Sequence, residues 1–276
     1  MTSLFDARGL RFLAAGLVVL NGFFPALWVL LTSLKTEAEL VSRPITYWPH
    51  QLVLDNYVRA FTDQPLLSYL ANSFMVALLS TVLSLVVAAG AAYAIARLNL
   101  VHRRLVLTCI VASGMLPLVT LLVPIFETMR QLDLLNSYTA LVLPYTVLNL
   151  PVCTLVLVSF FQGIPKDLEN AAMIDGCTRV GALARVVVPL AAPGVFTAGI
   201  LAFVNAWDEF LLALSLNASP AMRTLPVGIS LYQGEFTFPW PTISAALIVA
   251  IVPLAVLIAL FQERVVGGLT QGGLKG

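Results

Sequence analysis

Charged positions along the chain fall in clusters. Between them run six stretches without any Asp, Glu, Lys or Arg, at 12–34, 64–96, 105–126, 134–165, 186–207 and 236–262. A helix that crosses a bilayer needs about 20 apolar residues, and no other charge-free stretch of the chain is long enough. Lipid leaves unpaired backbone groups no partner except in helices or closed barrels. The strict alternation of barrel strands is absent, so helices are expected. The pattern predicts an all-α integral membrane protein in one domain, 1–276. Its six transmembrane helices are expected at about 12–34, 67–96, 105–126, 138–162, 190–214 and 241–262, with a polar loop at 163–189.

Composition supports this class. Apolar residues make up 59% of the chain and charged residues 11%, against about 25% charge in a typical soluble domain. So few charges exclude a soluble enzyme and a disordered chain. A net charge of +1 offers no attraction to nucleic acid. Cys109, Cys153 and Cys177 are far apart and odd in number, and read as free thiols. Arg8 and Arg11 before the first stretch would suit a secretory signal. The apolar run is longer than a signal core, however, and no small-residue cleavage site stands out, so it reads as a permanent helix.

Orientation follows from loop charge. Ten of the 15 Lys and Arg residues fall on the cytoplasmic side if both termini are inside. The protein is then expected in the cytoplasmic membrane of a bacterium or archaeon, multi-pass, with both termini cytoplasmic. Pro25, Pro117, Pro124, Pro144, Pro151, Pro193 and Pro253 lie in the spans. Each removes a backbone donor and tends to kink its helix, which favours bent helices around a pathway over a rigid anchor.

The chain carries few residues in patterns that support chemistry. His50 and His102 lack metal-ligand spacing, and no catalytic cluster or metal site is expected. The glycine-rich tail 267–276 lacks the Gly-Lys-Ser/Thr of a phosphate loop. Asp208 and Glu209 are adjacent, so they point about 100° apart on a helix and are poor partners for acid–base work. No charged residue lies in the middle of a span, where proton- or sodium-driven carriers usually need one.

The loop 163–189 is the informative segment. Pro165 suits a helix start, with Asp167 and Glu169 in the first turn. Gly176 suits the left-handed residue that ends a helix, and Thr178 suits the cap of a second one. Leu168, Ala171, Ala172 and Asp175 recur on one face, which the alanines make flat. Such a face suits a protein partner, with lipid headgroups as the alternative.

At these residues the chain resembles the permease subunits of binding-protein-dependent ABC importers. Their signature, Glu-Ala-Ala followed by a glycine and a later Ile-x-Leu-Pro, falls on Asn170, Ala171, Ala172, Gly176, Val186, Val188 and Pro189. Asn170 stands where the family usually has Glu, and Glu169 matches a frequent second acid. The resemblance is nearest to the second permease of carbohydrate importers of the maltose-transporter type. That likeness rests on Asn72-Ser73, the run 91–97 ending in Arg97, Asn136, Trp207-Asp208-Glu209-Phe210, the run 223–228, and the tail 268–276. Asp208 departs from the branch's usual Asn.

The resemblance implies a type I importer permease that moves a di- or oligosaccharide or related carbohydrate by alternating access. It implies a second permease, two copies of an ATPase subunit that bind ATP and Mg, and an extracytoplasmic binding protein, with no cofactor on this chain. Leu168, Glu169, Asn170, Ala171, Ala172, Asp175 and Gly176 would form the ATPase-coupling helix, and the external stretch 215–240 would touch the binding protein. Asn72, Asn149, Asn205 and Trp207 are candidates for the sugar pathway, and polar groups there equally serve to bond neighbouring helices. A non-sugar importer, a secondary carrier and a membrane enzyme are the other readings. The missing intramembrane charges argue against the carrier, and the missing catalytic cluster against the enzyme.

Overall fold

The computed structural model of the chain describes the backbone of residues 7–98, 100–234 and 238–273, with side chains between 11 and 261 of these. The main elements, in chain order, are α1 (Ala7–Ser33), α2 (Asp55–Thr62), α3 (Leu66–Arg97), α4 (Arg103–Gly114), α5 (Leu118–Gln131), α6 (Tyr138–Gly163), α7 (Lys166–Ile174), α8 (Arg179–Leu190), α9 (Ala192–Asp208), α10 (Leu211–Leu216), α11 (Leu225–Ser230) and α12 (Trp240–Gly273). Among the described residues every regular element is helical.

Four helices, α1, α3, α6 and α12, are each long and apolar enough to cross a membrane, and the number rises to six if each of two bent pairs is one span. The stretch expected as a single helix at 105–126 is one of these pairs, with α4 and α5 meeting at 91°. Gly114 and Pro117 explain the break. Pro117 has no N–H to continue the ladder and drives Leu116 away from helical dihedrals. The Met115 N–H closes back on Ala112 and Ser113.

The stretch expected at 190–214 is divided twice. An 84° elbow separates α8 from α9, and a second break follows Asp208. Pro189 lacks the N–H that would bond Arg185, and the chain answers with a π turn at Leu183–Val187, closed from the Val188 N–H to the Leu183 carbonyl. At the second break Glu209 takes over as a cap. Its carboxylate accepts from the N–H groups of Leu212 at 2.8 Å and Ala213 at 3.1 Å, and from the Tyr145 hydroxyl. The last helix continues beyond 262 through the glycine-rich run to Gly273. After Pro253 no proline removes a donor from it. Lys275 and Gly276, part of the tail match, lie outside the described residues, as does Thr237 of the external loop.

The chain divides into two compact units, Met1–Leu67 with Gly228–Pro253, and Ser68–Val227 with Leu254–Gly276. In the first, Asn56 fastens the end of α1 to α2, its amide donating to the carbonyls of Ser33 and Lys35 at 2.9 Å each. Ser33 Oγ meets the Tyr57 hydroxyl at 2.8 Å, and the Tyr232 hydroxyl donates to the Ala60 carbonyl.

The second unit holds the core that positions the loop 163–189. Ala88, Ala92, Tyr93 and Ile95 of α3 pack with Cys153, Leu157 and Phe161 of α6, Val187 of α8, and Ala198 and Ala202 of α9. Small residues allow the close approach that helices in lipid need. Gly194 is the extreme case, since a Cβ there would lie 2.3 Å from the Phe160 ring.

Candidate coupling helix and substrate pathway

Helix α7 is defined at both ends by its own sequence. Pro165 occupies the cap with φ −57°. At the other end Gly176 takes φ +93°, a conformation that costs a β-branched residue roughly 1–2 kcal/mol. The Gly176 N–H bonds Met173 at 3.1 Å and the Cys177 N–H bonds Ala172 at 2.9 Å, the paired closure that satisfies the last carbonyls of a helix. Thr178 Oγ1 then caps α8 by accepting from the Gly181 N–H at 3.1 Å.

The outward surface of this segment is more apolar than the periodicity from Leu168 foretold. Leu168 is 46% exposed, Ile174 86% and Val180 75%. Asn170, Ala171, Asp175 and Gly176 are exposed as well, with Ala172 half-buried. Ile174 and Val180 were missed because neither falls on the helical repeat of Leu168, Ala171, Ala172 and Asp175. They flank the Gly176 turn, and two large aliphatic residues beside a turn in a charged loop were the available signal. A patch of this kind on a charged loop marks a protein or membrane contact.

Glu169, grouped with the docking residues from the sequence, is turned inward and buried. Its carboxylate receives the Tyr93 hydroxyl on one oxygen. The other oxygen lies 3.4 Å from Arg97 Nε, a charge contact without hydrogen-bond alignment. Arg97 Nη2 donates to the Ile164 carbonyl at 2.8 Å. The last turn of α3 and the start of α7 therefore meet on one buried carboxylate, and Arg97 ties the end of α6 to them.

The structure brings together only two of the four pathway candidates. Asn149 on α6 is buried, and its Oδ1 accepts from Asn205 Nδ2 on α9 at 2.9 Å. Asn149 Nδ2 reaches the Ala202 carbonyl at 3.4 Å. Asn205 itself is exposed, so the pair shows one amide to the outside of the helix pair. Trp207 is buried and stacked on Phe203 at 5.7 Å, and Phe203 meets Phe74 edge-on at 6.0 Å. Asn72 is a brace. Its amide donates to the carbonyls of Ala221 and Arg223 at 2.9 Å each, and its oxygen accepts from the Tyr138 hydroxyl at 2.7 Å. Beside it, Ser73 accepts from the Leu225 N–H at 2.7 Å. No group of three or more potential metal ligands occurs among the described residues.

A helical membrane subunit with bent spans and a short, externally apolar helix on a polar loop is the architecture of an importer permease. The chain belongs to the family of binding-protein-dependent transport system inner membrane components, whose model matches residues 84–271. It is 70% identical to the sulfoquinovosyl glycerol transport system permease protein SmoH of Agrobacterium fabrum, over 100% of this chain and 97% of that protein. It is 40% identical to the trehalose transport system permease protein SugB of Mycobacterium tuberculosis, over 94% and 95%. The trehalose/maltose transport system permease protein MalG of Thermococcus litoralis is 35% identical, over 98% and 97%. The fold matches that of a chain in a bacterial ABC transporter involved in the import of the acidic polysaccharide alginate, with TM-score 0.80 at 19% identity, covering 95% of this chain and 98% of that one.

Proposed function

We propose that this chain is the permease subunit of an ATP-driven sugar importer whose substrate is sulfoquinovosyl glycerol or a closely related sulfonated glycoside. The observation that carries the substrate class is 70% identity along the whole chain to the sulfoquinovosyl glycerol permease, with more distant relatives named for trehalose and maltose. The chain works with a second permease, an extracytoplasmic binding protein and two ATPase subunits that supply ATP hydrolysis. ATP shifts the population of the ATPase dimer, and the shift reaches the membrane only through a contact that differs between its states. Helix α7 and the turn after it suit that contact, with Leu168, Ala171, Ile174 and Asp175 exposed and Val180 of α8 exposed beside them. The exposed amide of Asn205, oriented by Asn149, suits a hydroxyl or sulfonate oxygen of the passing sugar.

The test is ATP-dependent uptake into proteoliposomes that carry this chain with the second permease, ATPase and binding protein of its system. Uptake of radiolabelled sulfoquinovosyl glycerol, competed weakly by trehalose or maltose, is expected. Stronger uptake of trehalose or maltose would overturn the substrate, and ATP-independent uptake would overturn the importer.

A further inference from the structure

We propose that Glu169 is a positioning residue that transmits movement of α7 to the spans α3 and α6, and that it does not contact the ATPase. The inference rests on the reading of α7 as the coupling helix, and it concerns the other side of that helix. The Glu169 and Arg97 side chains retain only 8% and 4% of their exposure. Burying such a pair is expensive, and losing one member strands a charge away from water. A short helix on an exposed loop could be fastened by apolar packing alone, as Ala182 and Val187 are in the segment that follows. Here the fastening is a charged node shared by three elements. Tyr93 and Arg97 bring the last turn of α3 to it. Arg97 also holds the Ile164 carbonyl, where α6 passes into α7. A displacement of α7 therefore either carries the ends of both spans with it or breaks the node. The first outcome converts docking into movement, and the second dissipates it.

The experiment replaces Glu169 with Gln in the fully assembled transporter. Glutamine keeps the size of the side chain and still accepts from Tyr93, but removes the charge facing Arg97. The complex is expected to purify with its ATPase subunits bound and to hydrolyse ATP at the basal rate. Sugar moved per ATP should fall about tenfold, within the usual range of coupling between sites. Arg97→Gln alone, which removes the charge together with the bond to Ile164, should lower the ratio at least as far. An unchanged ratio in Glu169→Gln, a fall matched by an equal loss of bound ATPase, or an unchanged ratio in Arg97→Gln would each overturn the proposal. The α7 reading fails separately. If outward variants such as Ile174→Asp keep the ATPase bound and transport normal, the coupling helix is misassigned whatever Glu169→Gln does.

Discussion

Asn205 on α9 donates its side-chain amide to Asn149 on α6 at 2.9 Å. A hydrogen bond between helices in lipid contributes only about 0.6 kcal/mol on average. If the pair orients a sugar group, Asn205→Ala should reduce uptake several-fold while assembled complex is recovered in normal amount. Asn149→Ala should lower both, because it also removes the bond to Ala202. Equal losses of assembly and uptake in the two variants would assign the pair to helix packing. The checks are uptake kinetics and the yield of complex by size-exclusion chromatography.

Gly194 offers a sharper test of packing. A Cβ would lie 2.3 Å from Phe160 Cγ and 2.9 Å from its Cβ, too close for a rotamer change alone to relieve. Gly194→Leu should destabilise the second unit by about 1–3 kcal/mol or more, the range for overpacked cores. Phe160→Ala in the same chain should recover part of the loss. Thermal aggregation of the complex in detergent measures both, and a Gly194→Leu protein as stable as the natural one would show that α9 and α6 are not in this contact.

The two packing partners were not legible in the sequence, whereas the class of fold was. Six charge-free stretches are a property of local composition, and each became helix. Their breaks were half visible. Gly114 and Pro117 sit three residues apart and mark the bend between α4 and α5, but the elbow at Ala191 and the cap by Glu209 depend on tertiary partners. The ends of α7 were legible because Pro165, Gly176 and Thr178 act through their own backbone. The inward turn of Glu169 was not, since periodicity shows which residues share a face and not which face is buried. Asn72 illustrates the same limit. A polar residue in a span reads alike whether it meets sugar or, as the hydrogen bonds here place it, the carbonyls of Ala221 and Arg223.

Orientation in the membrane can be measured directly. By the loop-charge rule, Thr178 is expected in the cytoplasm and the segment after α1 outside. Single cysteines at Thr178 and at Ile45, both exposed, should label oppositely in intact cells. An impermeant maleimide should reach position 45 from outside and position 178 only after lysis. External labelling at 178 would remove α7 from the ATPase side.

The Gly176 turn should be sensitive and Asn170 tolerant. Gly176 holds φ +93°, so Gly176→Val should strain the end of α7 by about 1–2 kcal/mol and weaken ATPase binding without preventing membrane insertion. Asn170→Glu places the family's usual residue on an exposed position and should leave transport within about twofold, consistent with the small effect of most surface changes. Pull-down of the ATPase subunit and membrane yield of each variant distinguish the two outcomes.

The central claim is that the outward side of α7 joins this chain to its ATPase, and one measurement tests it most directly. Complexes bearing Ala172→Trp or Ile174→Asp are reconstituted in proteoliposomes, and bound ATPase and sugar uptake are measured on the same preparation. Both variants should insert normally yet lose bound ATPase and uptake together, by about tenfold or more, as expected when a bulky or charged group enters the centre of a packed interface. Normal ATPase binding and normal uptake in both would contradict the account.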